Sequence, residues 1–198
     1  MDIKQFVSKI YAFSKVGIKY SKDPYALENY HELKVLAEQQ MHEENYLSEA
    51  GILYPKDAYP TPSVSVRVLV FKEGKLLMVQ EKDDQKHCVP GGWCDVFESP
   101  KEAAVKEVEQ ETGLKVRVVR VLGIFMRDKY KPKPSMVSEY CLYFLAEIEG
   151  GNLIHNHELL SANFYDLGEL PELSFKTSPF ELGTALSIAQ DGLEPYFD

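Results

Sequence analysis

The chain has 198 residues, 44% apolar and 27% charged, enough to bury a full core and to carry an appendage beside one domain. A formal net charge of -9 argues against nucleic acid as a partner, because DNA and RNA need a basic face to replace phosphate counterions; a phosphorylated ligand must be held by local Lys or Arg or by a metal. Three cysteines without CxxC spacing exclude a disulfide scaffold. The absence of a basic-then-apolar leader or of eighteen consecutive apolar residues predicts a cytoplasmic protein that does not enter the membrane.

Ile3, Phe6, Val7, Ile10 and Phe13 fall at helical spacing and predict a first helix over 3–20. Asp23 as cap and Pro24 at the first position then start a second helix, whose stripe of Ala26, Tyr30, Leu33, Ala37 and Met41 runs to about 43. Two helices have too little mutual surface to be stable alone, so their stripes must bury against the rest of the chain or against a second copy. The expectation is a homodimer through or including these helices. Pro55, Pro60 and Pro62 mark a linker from Asn45, which divides the chain into a helical arm and linker (1–60) and a main domain (61–198).

In the main domain, Val64, Val66, Val68 and Val70 alternate onto one face of a strand over 63–71, and Lys72-Glu73-Gly74-Lys75 turns it into a second strand over 76–81. Arg67 lies on the other face, as a solvated residue or a phosphate ligand. Further on, 115–126 and 136–148 read as strands. Between them, 127–135 is the most basic short segment of an acidic chain. It is either a solvated hairpin tip or a substrate loop, in which Arg127 and Lys129 hold phosphate and Tyr130 stacks on a base or sugar. A turn at 150–152, a short strand at 163–167 and a helix at 179–190 complete the pattern. Strands on both sides of a helix, with a closing helix, predict an α+β fold with a mixed sheet between helices.

The stretch 91–114 carries the most chemistry. A Gly91-Gly92 turn leads to Ser99-Pro100, an N-cap with Pro at the first helical position, and Gly113 stands where a left-handed cap belongs. One helical face holds Ala103, Glu107, Gln110 and Glu111, and two carboxylates one turn apart invite a hard cation. His155 and His157 do not read as a zinc site, having no further ligand at metal-site spacing. Trp93 and Phe97 read as packing residues, and Cys94 lacks the setting of a nucleophile.

Written as G-x5-E-x7-R-E-U-x-E-E-x-G-U, with U bulky and aliphatic, the Nudix box aligns with Gly92, Glu98, Glu107, Val108, Glu111, Gly113 and Leu114. The domain therefore resembles a Nudix hydrolase. The whole chain, with its helical arm and Tyr20-Ser21-Lys22-Asp23, resembles the bacterial branch that hydrolyses nucleoside diphosphates linked to another moiety, CDP-choline and ADP-ribose pyrophosphatases among them. The resemblance implies a Nudix fold with an N-terminal helical hairpin, Mg²⁺ or Mn²⁺ held by Glu107, Gln110 and Glu111, and water attack on a phosphoanhydride bond. It gives structural roles to Gly92, Glu98, Lys106 and Gly113. It also points to a base from a later loop, where Glu158 stands, though an exposed loop glutamate fits that position equally.

Two positions depart from the box. Lys106 replaces Arg, keeping the charge and losing the planar fork; near Glu98 it would still steady the loop. Gln110 replaces a Glu, and an amide oxygen brings no negative charge to a metal. That loss leaves open a catalytically weakened protein that binds its nucleotide as a sensor.

Overall fold

The computed structural model describes residues 3–43, 62–131, 139–154 and 159–198. The chain divides into two units, 1–60 and 61–198. In the first, α1 (Ile3–Tyr20) and α2 (Pro24–Glu43) form a hairpin. The Asp23 carboxylate accepts the backbone N–H of Tyr25 at 3.0 Å, capping α2 as its position predicts. Val7, Ala37 and Met41 are buried between the helices, with Ile10 and Tyr11 against them. Ile3, Phe6 and Phe13, expected on the same stripe, lie exposed instead. The apolar band of α1 is wider than one partner helix covers, so it splits into an inner and an outer face.

The second unit is built on β1 (Ser63–Lys72), β2 (Lys75–Glu81), β3 (His87–Cys88), α3 (Pro100–Thr112), β4 (Leu114–Met126), β5 (Glu139–Gly151), β6 (Leu159–Tyr165), α4 (Pro179–Asp191) and β7 (Tyr196–Phe197). The strand order is β3-β2-β1-β5-β4-β7, with β6 on β2. The sheet is mixed: β1 runs parallel to β5, β5 antiparallel to β4, and β7 parallel to β4. Val66, Val68 and Val70 pack with Ala103, Ala104 and Val108 of α3. The opposite face carries Leu69, Phe125 and Tyr143 against Leu182, Ala185 and Ile188 of α4. Both faces of the sheet are thus covered, as the pattern of strands and helices predicts.

Element edges differ from expectation where side-chain alternation is weak. β5 extends through Gly151, into the predicted turn, because its ladder with β4 continues to Leu114↔Gly151. β6 begins at Leu159, four residues early, since pairing with β2 stabilises a Leu-Leu-Ser-Ala start that has little strand pattern of its own. Among the described residues, no helix is long and apolar enough to cross a membrane.

Candidate active site

Helix α3 is fixed at both ends by its own sequence. Ser99 Oγ accepts the N–H of Glu102 at 3.2 Å while the Glu102 carboxylate accepts the N–H of Ser99 at 2.9 Å, a reciprocal cap. Gly113, at φ 76°, closes the helix by donating to the carbonyl of Glu109. With Ala103, Ala104 and Val108 in the core, Glu107 and Glu111 turn toward the loop before the helix.

That loop lies along β1. Val66 and Val68 donate to the carbonyls of Gly92 and Pro90 at 2.8 and 2.9 Å, and Cys94 donates back to Val64 at 3.0 Å. A Cβ at Gly91, whose φ is 149°, would sit 2.0 Å from the Val66 carbonyl oxygen; one at Gly92 would meet the Glu107 carboxylate at 2.7 Å. Only glycine lets the backbone pass between strand and carboxylate. The Gly91 N–H donates to Glu111 Oε2 at 3.0 Å. Lys106 Nζ reaches Glu98 at 2.8 Å and Asp95 at 3.0 Å, so its ammonium bridges the loop even without the planar fork of Arg.

Burial pushes the Glu111 carboxyl up to about 8, against the opposing pull of Arg67 and the Gly91 N–H. It raises Glu107 as well. Two carboxylates disfavoured as bare anions fit a divalent cation, whose charge would offset the desolvation. Mg²⁺ in particular is held by one or two carboxylates, substrate phosphates and waters. Gln110 is exposed and lies outside the cavity beside Glu111. It precedes Glu111 by one helical step of about 100°, so the two side chains diverge. Among the described residues, no cluster of three His, Cys, Asp or Glu side chains suited to a metal occurs.

Glu111, Gly91 and Gly92 line a cavity of about 400 Å³, within the range of small-molecule sites. Arg67 is buried and lines its floor, which corrects the solvated alternative: β1 is covered on both faces. Its guanidinium donates to the carbonyl of Gly91 and, at 3.4 Å, to that of Lys176. Arg127, also buried, donates to Glu139 Oε1 at 2.9 Å and to the same Lys176 carbonyl, with Glu181 at 3.7 Å. The Nε of each arginine is buried without a hydrogen-bond partner among the described residues, a cost that folds tolerate mainly at functional sites. Glu139 accepts from Ser65 Oγ and Lys131 Nζ, each at 2.6 Å. Burial works against its charge, yet these donors and Arg127 hold its carboxyl below the ordinary range.

The basic segment divides. Arg127 and Lys131 line the cavity, whereas Lys129 and Tyr130 do not. Lys129 is half exposed and pairs with Asp198 at 3.2 Å; Tyr130 stacks on Phe180 with ring centroids 4.4 Å apart. The tight turn at 127–129 leaves Arg127 and Lys131 on the cavity side and Lys129 and Tyr130 on the other. Trp93, read from sequence as a packing residue, lines the cavity mouth with Phe175, both more than half exposed. Glu139, Phe175 and Lys176 are further lining residues that sequence reasoning missed. Glu139 alone left a signal there, as an acid opening an apolar strand. Glu158, with His155 and His157, lies outside the described residues.

Comparison with known proteins bears on this arrangement. The NUDIX domain model matches residues 61–183. A relative from Bacillus subtilis (strain 168), YjhB, assigned provisionally as an ADP-ribose pyrophosphatase, is 32% identical over 85% of this chain and 82% of its own. A crystal structure of a UDP-X diphosphatase superposes with a TM-score of 0.70 at 25% identity, covering 100% of this chain and 98% of its own. That of an ADP-ribose pyrophosphatase from Streptococcus suis 89-1591 gives 0.62 at 35% identity, over 70% and 100%.

Proposed function

We propose, from the premise that this chain belongs to the Nudix family, that it hydrolyses the pyrophosphate bond of a nucleoside diphosphate linked to another moiety, such as ADP-ribose or CDP-choline. The observation that carries the reading is the meeting of opposite charges in one cavity. Glu111, with Glu107 one turn away, stands on the helix side, and the guanidinium groups of Arg67 and Arg127 stand on the sheet side. The names of the two ADP-ribose pyrophosphatase relatives and of the UDP-X diphosphatase support the substrate class.

In this reading Glu107 and Glu111 hold Mg²⁺ or Mn²⁺, with Gln110 at most an outer contact. The bound ion supplies charge neutralisation at phosphorus and a more acidic water. Arg67 and Arg127, held by backbone carbonyls and Glu139, orient the diphosphate oxygens. Lys131 and Lys176 also line the cavity, paired with Glu139 and Glu81 at 2.6 Å each. Glu158 is the proposed base. The outer apolar face of α1 supports the homodimer proposed for the arm.

Incubating the full chain with Mg²⁺ or Mn²⁺ and ADP-ribose, CDP-choline, UDP-glucose and NADH, and resolving the products, tests the reading. Release of a nucleoside monophosphate from at least one is expected. No turnover of any, with either ion, sinks it. The sensor alternative predicts tight binding without turnover.

A further inference from the structure

We infer that Asp198 is a positioning residue for the cationic wall of the diphosphate site, acting as a clamp on the segment that carries Arg127. The inference rests on the assignment of Arg127 to that site.

Strand β7 runs parallel to the edge of β4, pairing Tyr196 with Gly123 and Phe197 with Ile124. This brings Asp198 to the point where β4 ends and the 127–129 turn begins. Its side chain is only 10% exposed. Oδ2 accepts the backbone N–H of Met126, immediately before the turn. Oδ1 accepts the hydroxyl of Tyr130, immediately after it, at 2.6 Å, and the ammonium of Lys129 at 3.2 Å. One carboxylate thus grips both ends of the turn.

From the start of that turn Arg127 points the other way, into the cavity, and Lys131 follows it onto Glu139. Ring contacts brace the clamp: Tyr130 on Phe180, and Tyr196 on Phe125 at 5.1 Å. An inner carboxylate, Glu139, and an outer one, Asp198, therefore hold the segment 126–131 from opposite sides, Glu139 through Arg127 and Lys131 and Asp198 through Met126, Lys129 and Tyr130. Without the outer one, the turn samples arrangements in which Arg127 is out of place, and only the competent fraction binds.

The test compares wild type, Asp198→Ala, Asp198→Asn and Tyr130→Phe as full chains. Each is measured for turnover of the best substrate and for affinity toward inorganic pyrophosphate with Mg²⁺ by calorimetry. Asp198→Ala should raise KM and the pyrophosphate dissociation constant about tenfold with kcat within about twofold, the pattern of lost uniform binding. Asp198→Asn and Tyr130→Phe, each keeping part of the clamp, should fall between. In an Arg127→Lys background the Asp198→Ala effect should shrink to about twofold or less. An undiminished effect in that background, or unchanged pyrophosphate affinity in folded Asp198→Ala, overturns the inference. Wild type that binds pyrophosphate but hydrolyses nothing defeats the functional reading and leaves the clamp to be judged on affinity.

Discussion

At the level of single residues, Glu111 and Gln110 are adjacent in the box and unequal in space. Glu111 sits in the cavity with its carboxyl raised to about 8, so in metal-free protein the folded state holds a proton that the unfolded state has already released. Stability contributed by this group is present below the ordinary carboxylate pKa and is lost as pH rises through about 8. Metal-free wild type should therefore lose Tm relative to Glu111→Gln between pH 5 and about pH 8, and Mg²⁺ should restore it most at the alkaline end. Scanning calorimetry at several pH values checks this; parallel curves for the two proteins would count against it. Glu111→Gln should also lower kcat at least about a hundredfold, since the metal site loses half its charge. Gln110→Glu, exposed and outside the cavity, should change kcat less than about threefold while tightening Mg²⁺ a few-fold. A large gain in kcat would instead revive the weakened-enzyme alternative. Sequence spacing grouped residues 107, 110 and 111 on one face, and it had no means of showing that the loop through Gly92 covers two of them and leaves the third outside.

Among the elements, α3 is the one most nearly legible in the sequence, because everything that sets it is local: Ser99, Pro100, Glu102 and Gly113 act within a turn of themselves. Ser99→Ala removes the reciprocal cap and should cost about 1 kcal/mol. Gly113→Ala should cost more, about 1–3 kcal/mol, because φ is positive and a Cβ would lie 2.6 Å from the Asn152 carbonyl oxygen. Urea titration of both variants gives the ordering; equal costs would mean that the helix end is free to shift. The cavity's other walls were far less legible. Arg67, Arg127, Glu139 and Lys176 come from four separate segments, joined through shared carbonyls and carboxylates rather than any spacing. Residue type alone marked the two arginines, while Lys176 and Phe175 looked like ordinary loop residues.

On the scale of the molecule, the mixed sheet between two helices followed from periodicity, but the outer face of the arm did not. Ile3, Phe6, Phe13 and Val16 are each more than 40% exposed, and their spacing of three, seven and three residues draws one line along α1. Among the described residues, the hairpin's own apolar core is small, three buried residues with two partly buried neighbours. A marginal helix pair with an apolar line that its own partner helix leaves uncovered is stabilised by covering that line, and a second copy of the same hairpin offers a matching one. The proposed homodimer should therefore give a mass of twice 22.6 kDa by sedimentation equilibrium at micromolar concentration. Phe6→Glu with Val16→Glu places four like charges on the pair of facing lines while leaving Val7, Ala37 and Met41 untouched. This variant should sediment as a monomer, with the helical circular dichroism of the arm reduced because the pair loses its cover. Wild type found as a monomer would refute the dimer, and a double variant that still sediments as a dimer would place the interface elsewhere on the chain.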